Sequence, residues 1–495
     1  MSNEIDDIDK RRESIANVTS AKHKSHYGQY MTPSIIANFM VKMFRPLNKK
    51  QLRLLDAGAG IGSLTAAFIV RAKKENATSI ECEAWEVDQT LHKPLRETLD
   101  ACEQMFRSTD KKIKTAVIAD DFVLSFSDIF TSERMTPTHA ILNPPYKKIS
   151  SSSAYRLALR ANGIETGNLY SAFVALSLLS LSAGGELVAI TPRSFCNGPY
   201  FKPFRELILS SAAIIQVHVF KSRTHAFKGD DVLQENVIFH IVKGEKQGNV
   251  LISSCFDSTF TDITFKKTPF TEVVLPGDHD KIFNLATEEI ETCVSNAISK
   301  YQSTLDDLGI SVSTGQVVDF RMKDNLRESQ ESGCVPLIYS HHFENGFIVH
   351  PKIGAKKPNY IVSNELTNKW LMPKGYYLLV RRLSSKEEKR RIIPAIVTPE
   401  NTNTNLIGFD NKTNLFHYAK KGLPVKLIKG LVIYLSSTFA DQWLRRFSGH
   451  TQVNATDLRA LRYPDRETLK FWGEKVNKKI PTQYEIDQIV GGIDV

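Results

Sequence analysis

The chain has 495 residues and a formal net charge of +10, too long for one ordinary domain, so two or three are expected, each large enough to bury its own core. An apolar fraction of 42% and a charged fraction of 24% are those of a globular protein. No apolar run reaches the roughly 18 residues of a membrane span, and the polar start MSNEIDDIDKRRES has no signal-peptide core, so a cytosolic protein without a membrane partner is expected.

Up to about residue 250, short apolar runs alternate with helical stretches. Predicted strands are Leu52–Asp56, Cys82–Val87, Thr115–Ala119, His139–Leu142, Glu186–Ile190, Ile214–Phe220 and Val237–Val242. Helices are predicted at Leu64–Lys74 and Leu169–Leu181. Alternation of this kind means a parallel sheet covered on both faces. The last two strands follow without a clear helix between them, which predicts an antiparallel hairpin at the sheet edge. Lys266–Asp280 reads as a connector and Lys281–Leu308 as a helical stretch. Beyond it the pattern is irregular, with short β-branched and aromatic pieces such as Tyr376–Val380 and Ile392–Val397. Residues 1–300 and 301–495 are therefore expected to form separate domains.

The excess charge lies late in the chain. Residues from 303 onward hold 28 Lys+Arg and 20 Asp+Glu, a net +8, against +2 for everything before. Such an excess suits a polyanion, though solubility charge gives the same count. The six cysteines (Cys82, Cys102, Cys196, Cys255, Cys293, Cys334) form no CxxC pair, so reduced thiols and no metal site are expected.

Four motifs carry chemistry. In Leu54-Leu55-Asp56-Ala57-Gly58-Ala59-Gly60-Ile61-Gly62 a strand runs into a glycine turn and then a helix. Glycines let a ligand approach the backbone, and the helix start offers free N–H groups. Ser63 breaks the dinucleotide pattern, and no Gly-Lys-Ser/Thr is present. Asp-x-Gly-x-Gly-x-Gly suits an S-adenosylmethionine site instead, with Asp56, Ala57, Gly58, Gly60 and Gly62 as candidates. A tight turn without a ligand is the plainer alternative. Trp85-Glu86-Val87-Asp88 ends the second strand, where a carboxylate can accept from both ribose hydroxyls of a nucleoside. Glu86 is the choice over Asp88. Asp121 and Phe122 follow the third strand and suit an adenine amine and ring. Asn143-Pro144-Pro145-Tyr146 follows the fourth. The Asn143 side-chain oxygen and the Pro144 carbonyl can both accept from one planar amine. That draws the nitrogen towards sp3 and exposes its lone pair, an electrostatic arrangement set before reaction. Tyr146 can stack on a base.

This order of motifs resembles the gamma class of amino-methyltransferases. Within it, the chain is similar to the PstI/BsuBI-type restriction–modification methyltransferases. The similar segments are Gly28–Pro33, Asp231–Ile238, Ser313–Gly315 with Val318–Arg321, Val380–Arg382 with Lys386–Glu388, and Gly449–Arg459. The resemblance implies a Rossmann-like α/β methyltransferase sheet with an antiparallel edge hairpin, then a mixed α+β target-recognition domain. It implies S-adenosylmethionine as methyl donor and N6 of adenine in a short duplex DNA site as acceptor. A separately encoded endonuclease cutting the same site is a possible partner. The class's N-terminal cofactor segment maps to Tyr30, Thr32 and Pro33. Its aromatic on the far side of the flipped base maps to Phe220 or Phe227, depending on the direction of counting. Arg381, Arg382 and Lys386 are candidates for phosphate contact, and Thr451, Gln452 and Asn454 for base or backbone contact or for a structural turn. Two other amine acceptors share Asn-Pro-Pro-Tyr chemistry, a protein glutamine amide and RNA. Nearly 200 residues that carry most of the excess charge follow the catalytic part, which argues against the glutamine enzymes, usually shorter and with their substrate module first. Glu387-x-Lys389 lacks a preceding strand-borne aspartate and reads as a solvated helix start rather than a nuclease.

Overall fold

Seven apolar runs become strands of one sheet, and the central ones, such as Glu186–Pro192, are buried on both faces. The structure is a computed structural model and describes residues 31–47, 51–107, 111–125, 136–197, 199–220, 236–285, 301–384, 388–447, 451–477 and 479–491. Tyr30, Phe227 and Lys386 lie outside the described residues, as does most of the helical stretch expected near Lys281–Leu308. Its described flanks, 281–285 and 301–308, are not helical. The chain divides into two units, Met1–Thr287 and Glu288–Val495.

In the first unit the strands are β1 (Gln51–Ala57), β2 (Ser79–Trp85), β3 (Lys112–Ile118), β4 (His139–Leu142), β5 (Glu186–Pro192), β6 (Ala212–Phe220), β7 (Asn236–Lys243), β8 (Val250–Cys255) and β9 (Thr264–Thr268). Their order is β3-β2-β1-β4-β5-β7-β6-β8-β9. β3, β2, β1, β4 and β5 run parallel, and β7 is antiparallel to β5 and β6. The order reverses between β1 and β4, and ligands in open α/β sheets bind at the carboxyl ends of the strands beside such a reversal.

The β6–β7 hairpin exists, but it is not at the edge. β6 pairs in parallel with β8, and β9 closes the sheet beyond it. The sequence hid β8 because Val250–Cys255 ends on two serines. Both are buried at 1% exposure, and Ser253 Oγ meets His218 Nδ1 at 3.0 Å. A polar pair satisfied across two strands looks like loop composition when only one strand is read.

Helices α1 (Ser34–Met43), α2 (Ser63–Lys74) and α3 (Gln89–Phe106) are followed by α4 (Ala154–Ala161), α5 (Leu169–Ser180) and α6 (Lys202–Ser211). α5 is buried nearly all round, as a helix without a polar face must be. Leu187, Ala189, Val237 and Phe239 pack in the cluster that includes α5. Ile141, Val188, Ile190 and Ile238 face the other way, into the cluster that includes α1 and α2.

The second unit is mixed, as expected. Among the described residues it holds a six-stranded sheet containing Tyr377–Arg381 and Pro394–Val397, and a five-stranded sheet containing Cys334–Ile338. Its helices α7 (Val425–Ser436) and α8 (Arg466–Gly473) cross backbone to backbone. A methyl group at Gly430 would land on the Leu469 carbonyl, and one at Gly473 on the Lys426 carbonyl.

Candidate cofactor and methyl-acceptor site

A cleft with about 790 Å³ of empty space opens at the carboxyl ends of β1, β2 and β4. Its lining includes Met31, Thr32, Gly58, Gly60, Glu86, Asp121, Phe122, Asn143, Pro145 and Phe173. Residues from four separate motifs thus meet at one place, because each sits just past the end of a strand.

The glycine turn divides its labour in a way that its spacing does not reveal. All three glycines have positive φ. A side chain built on Gly60 would meet nothing within 4 Å, so this position faces open space. At Gly62 a Cβ would come within 3.0 Å of Leu95 Cδ1 and 3.2 Å of Thr98 Cγ2. Gly62 is therefore needed for the approach of α2 to α3, and it does not line the cleft. Asp56 is likewise turned away. It is fully buried and accepts from the Thr65 hydroxyl at 2.7 Å, while its other oxygen has no partner. Burial pushes its pKa up to about 7, against the pull of the Thr65 hydrogen bond. Asp56 and Ala57 are thus corrected from cofactor contacts to supports of the turn.

Glu86 and Asp88 are separated cleanly. Asp88 caps α3, accepting from Thr90 N at 3.0 Å. Glu86 lines the cleft at 4% exposure. Its Oε2 accepts from Gly60 N and its Oε1 from Asp88 N, each at 2.8 Å. Burial raises its pKa above the ordinary carboxylate value, and these two amides partly offset the rise. A carboxylate gripped by backbone on both oxygens is rigid and still has lone pairs for a diol. Phe122 supplies an apolar wall, 5.4 Å from the Trp85 ring and 5.2 Å from Phe173. Asp121 lines the cleft too, but its Oδ1 accepts from Val123 N and Leu124 N, and its Oδ2 from the Tyr155 hydroxyl. The open Gly60 position, the gripped Glu86 and the aromatic wall fit an adenosyl cofactor.

Asn143 is half-buried at the end of β4. Its Nδ2 donates to Thr32 Oγ1 at 2.9 Å, which turns Oδ1 outward as an acceptor. The Tyr146 hydroxyl donates to that Oδ1 at 3.3 Å. Thr32 thus touches both cleft and Asn143, whereas Pro33 starts α1 through Ala37 N to Pro33 O. Met31 and Phe173 were missed from sequence. Met31 lies within a recognised segment but was not singled out in it, and Phe173 lies in a helix buried nearly all round, with no pattern to mark it.

Phe220 is 2% exposed and packs on His218 and Phe260, with ring centroids 4.9 and 5.7 Å away. It is a core residue rather than a base-stacking one. In the second unit Arg381 is ion-paired with Glu388. Arg382 donates to Asn411 O at 3.2 Å and lies 3.5 Å from Asn454 Oδ1. Thr451–Asn454 form a strap across these strand ends. Ser384 N donates to Thr451 O, Val453 N to Arg382 O, and Arg391 to Gln452 O. Asn454 caps the helix Ala455–Ala460. The bonds of this segment are those of a structural turn, and each arginine has a partner within the unit.

A family model described as Eco57I restriction-modification methylase matches residues 65–227. The type II methyltransferase M.BsuBI of Bacillus subtilis is 45% identical over 492 residues, covering 98% of this chain and 96% of that protein. This chain belongs to the type II methyltransferases. M.PstI of Providencia stuartii, a second member, is 43% identical over 488 residues, with the same coverage. The type IIL restriction-modification enzyme MmeI, solved in complex with DNA, aligns with a TM-score of 0.52 at 12% identity. That alignment covers 98% of this chain and 72% of MmeI, and at this identity it speaks for the methyltransferase fold alone.

Proposed function

We propose that this type II methyltransferase transfers a methyl group from S-adenosylmethionine to N6 of adenine in a short duplex DNA site. The observation that carries the reading is the Asn143 amide, held by Thr32 with its oxygen turned outward, beside Pro144 and at the wall of a cleft built for a nucleoside. Glu86 would accept from the ribose hydroxyls, Phe122 and Trp85 would border the adenine, and Met31, Thr32 and the Gly58–Gly60 backbone would border the methionine part. Bound there, the cofactor supplies an electrophilic methyl group. The target adenine must leave the base stack, because N6 is out of reach within a duplex. Asn143 Oδ1 and the Pro144 carbonyl accept its two amine hydrogens, localise the lone pair and fix its direction. The incoming amine displaces the Tyr146 hydroxyl from Asn143 Oδ1, and the freed Tyr146 ring stacks on the base.

Family membership supports DNA as acceptor over a glutamine amide or RNA. The proposal assigns target recognition to the 301–495 region, a cytosolic setting, and a separately encoded endonuclease acting on the same site. The test is unmethylated duplex DNA incubated with labelled cofactor, followed by mapping of the modified base. Asn143→Ala should lower turnover by about 10²–10³-fold, the usual loss for one preorganised donor or acceptor, while cofactor still binds. Near-normal turnover by that variant, or label on cytosine or on protein, would overturn the proposal.

A further inference from the structure

Beyond Asn143, the same rim of the sheet carries buried polar groups with nothing to bond. Asn236, the first residue of β7, is 1% exposed, and neither its Oδ1 nor its Nδ2 has a hydrogen-bond partner. Asn197, at the end of the Arg193–Cys196 turn that follows β5, is 6% exposed and equally unpartnered on both amide atoms. Thr191, fully buried near the end of β5, has an unpartnered hydroxyl. Buried polar side chains are bonded in the great majority of cases, so each exception calls for a cause. Thr191 stands on the α5 face of β5 with Leu187 and Ala189, whereas Asn236 stands on the face of Ile238, and an unpartnered amide there points to a polar guest on that face.

Register says which guest Asn236 can reach. Asn236 pairs with Pro192 of β5, and β5 lies between β4 and β7. Ile238, two residues after Asn236, and Ile141, two residues before Asn143, pack in the same core cluster with α1 and α2. Side chains alternate along a strand, so Asn236 and Asn143 stand on one face. Neighbouring strands are about 4.8 Å apart and Asn236 lies two residues further along than Asn143, which puts the two asparagines roughly 12 Å apart. A purine whose amine sits at Asn143 occupies that interval. The turn after β5 is tied to the same place, since Ser194 Oγ lies 3.0 Å from the Tyr170 hydroxyl and Tyr170 packs against Tyr146 at 6.2 Å.

We propose that Asn236 reads the target base, its Nδ2 donating to the adenine ring nitrogen beside the amine. This inference rests on the adenine reading above. Both amine hydrogens are taken by Asn143 and Pro144, so the unmet need of the base on that edge is a donor to N1 or N7. A carboxamide meets that need, and it is the side chain that discriminates adenine elsewhere. The pocket then gives its base a polar partner on the edge beside the amine and does not merely enclose it.

The test is a cycle between protein and DNA. Wild type, Asn236→Ala and the near-isosteric Asn236→Leu are assayed for kcat/KM on duplexes with adenine, 1-deazaadenine or 7-deazaadenine at the target position. Thermal melting and cofactor titration serve as controls on folding. Wild type should lose about 10- to 100-fold on one of the two analogues, the size expected for one buried hydrogen bond left unmade. Asn236→Ala should lose as much on adenine and nothing further on that analogue. Asn236→Leu, similar in shape and without a donor, should keep the melting temperature and show the same insensitivity, which covers the case of a poorly folding alanine variant. Full activity of Asn236→Ala on adenine, or losses that multiply on both analogues, would overturn the proposal. Failure of the underlying adenine reading would show separately, as wild-type label on a base other than adenine in the unmodified duplex.

Discussion

Replacing Thr32 by valine removes one atom from the acceptor site's support and keeps the shape. Thr32 is 5% exposed, and its hydroxyl accepts from Asn143 Nδ2 at 2.9 Å. Without it, the amide loses the partner that turns its oxygen towards the incoming amine. A buried donor deprived of its acceptor costs about 1–3 kcal/mol. If that cost falls on the reactive arrangement, the rate drops by about 5- to 150-fold. The assay is a single-turnover burst at saturating cofactor and DNA, with cofactor affinity measured in parallel by calorimetry. Thr32 also lines the cleft, so some affinity loss is expected, but the rate should fall by the larger factor. Thr32→Ser keeps the hydroxyl and should recover most of the rate. A valine variant within twofold of wild type, or a serine variant as slow as the valine one, would refute the idea that this hydrogen bond sets the amide.

The two glycines of the turn should fail differently. Gly62→Ala should mainly lower the melting temperature, with about 1–2 kcal/mol from left-handed backbone alone and more from the contacts with Leu95 and Thr98. Gly60→Ala should mainly weaken cofactor binding, and calorimetry showing the opposite ranking would contradict the division. For Asp56, the folded-state pKa of about 7 lies above the ordinary 3.8, so its contribution to stability is full below about pH 4 and is lost as pH rises through 7. The melting temperature of Asp56→Asn relative to wild type should therefore improve between pH 5 and pH 8, and a constant difference would count against the burial argument. Arg381→Ala and Arg382→Ala should lower the melting temperature and leave the salt slope of DNA binding unchanged. A slope reduced by roughly 0.9 for either substitution would return that arginine to phosphate contact.

The catalytic half was legible because its strands carry long apolar runs and its motifs fall at strand ends. His139–Leu142 and the seven-strand alternation needed nothing beyond periodicity. What stayed hidden was orientation. Gly60 and Gly62 are two residues apart and look alike in sequence, yet one faces a cleft and the other a helix. Phe220 could be placed near a base only by counting, and counting cannot tell the two faces of a strand apart. β8 was masked by serines that find their partners on β6 and β9. In the second unit the strands are two to five residues long, too short for alternation to accumulate. Its family segment Gly449–Arg459 looked functional because it is polar, whereas its described residues are polar where they tie strand ends together and cap a helix.

The Thr32–Asn143 hydrogen bond spans 111 positions of sequence, which gives the chain an order of assembly. The glycine turn and Glu86 are joined by the pairing of β1 with β2, within one short crossover. Asn143 comes into place only when β4 inserts beside β1, pairing Leu54 with His139, a closure over many more residues and entropically the later event. In a growing polypeptide Glu86 and the glycine turn are therefore synthesised, and can be brought together, before the Asn143 amide can be oriented. Chains that stall or break between the two would carry the glycine turn and Glu86 without the Thr32–Asn143 bond.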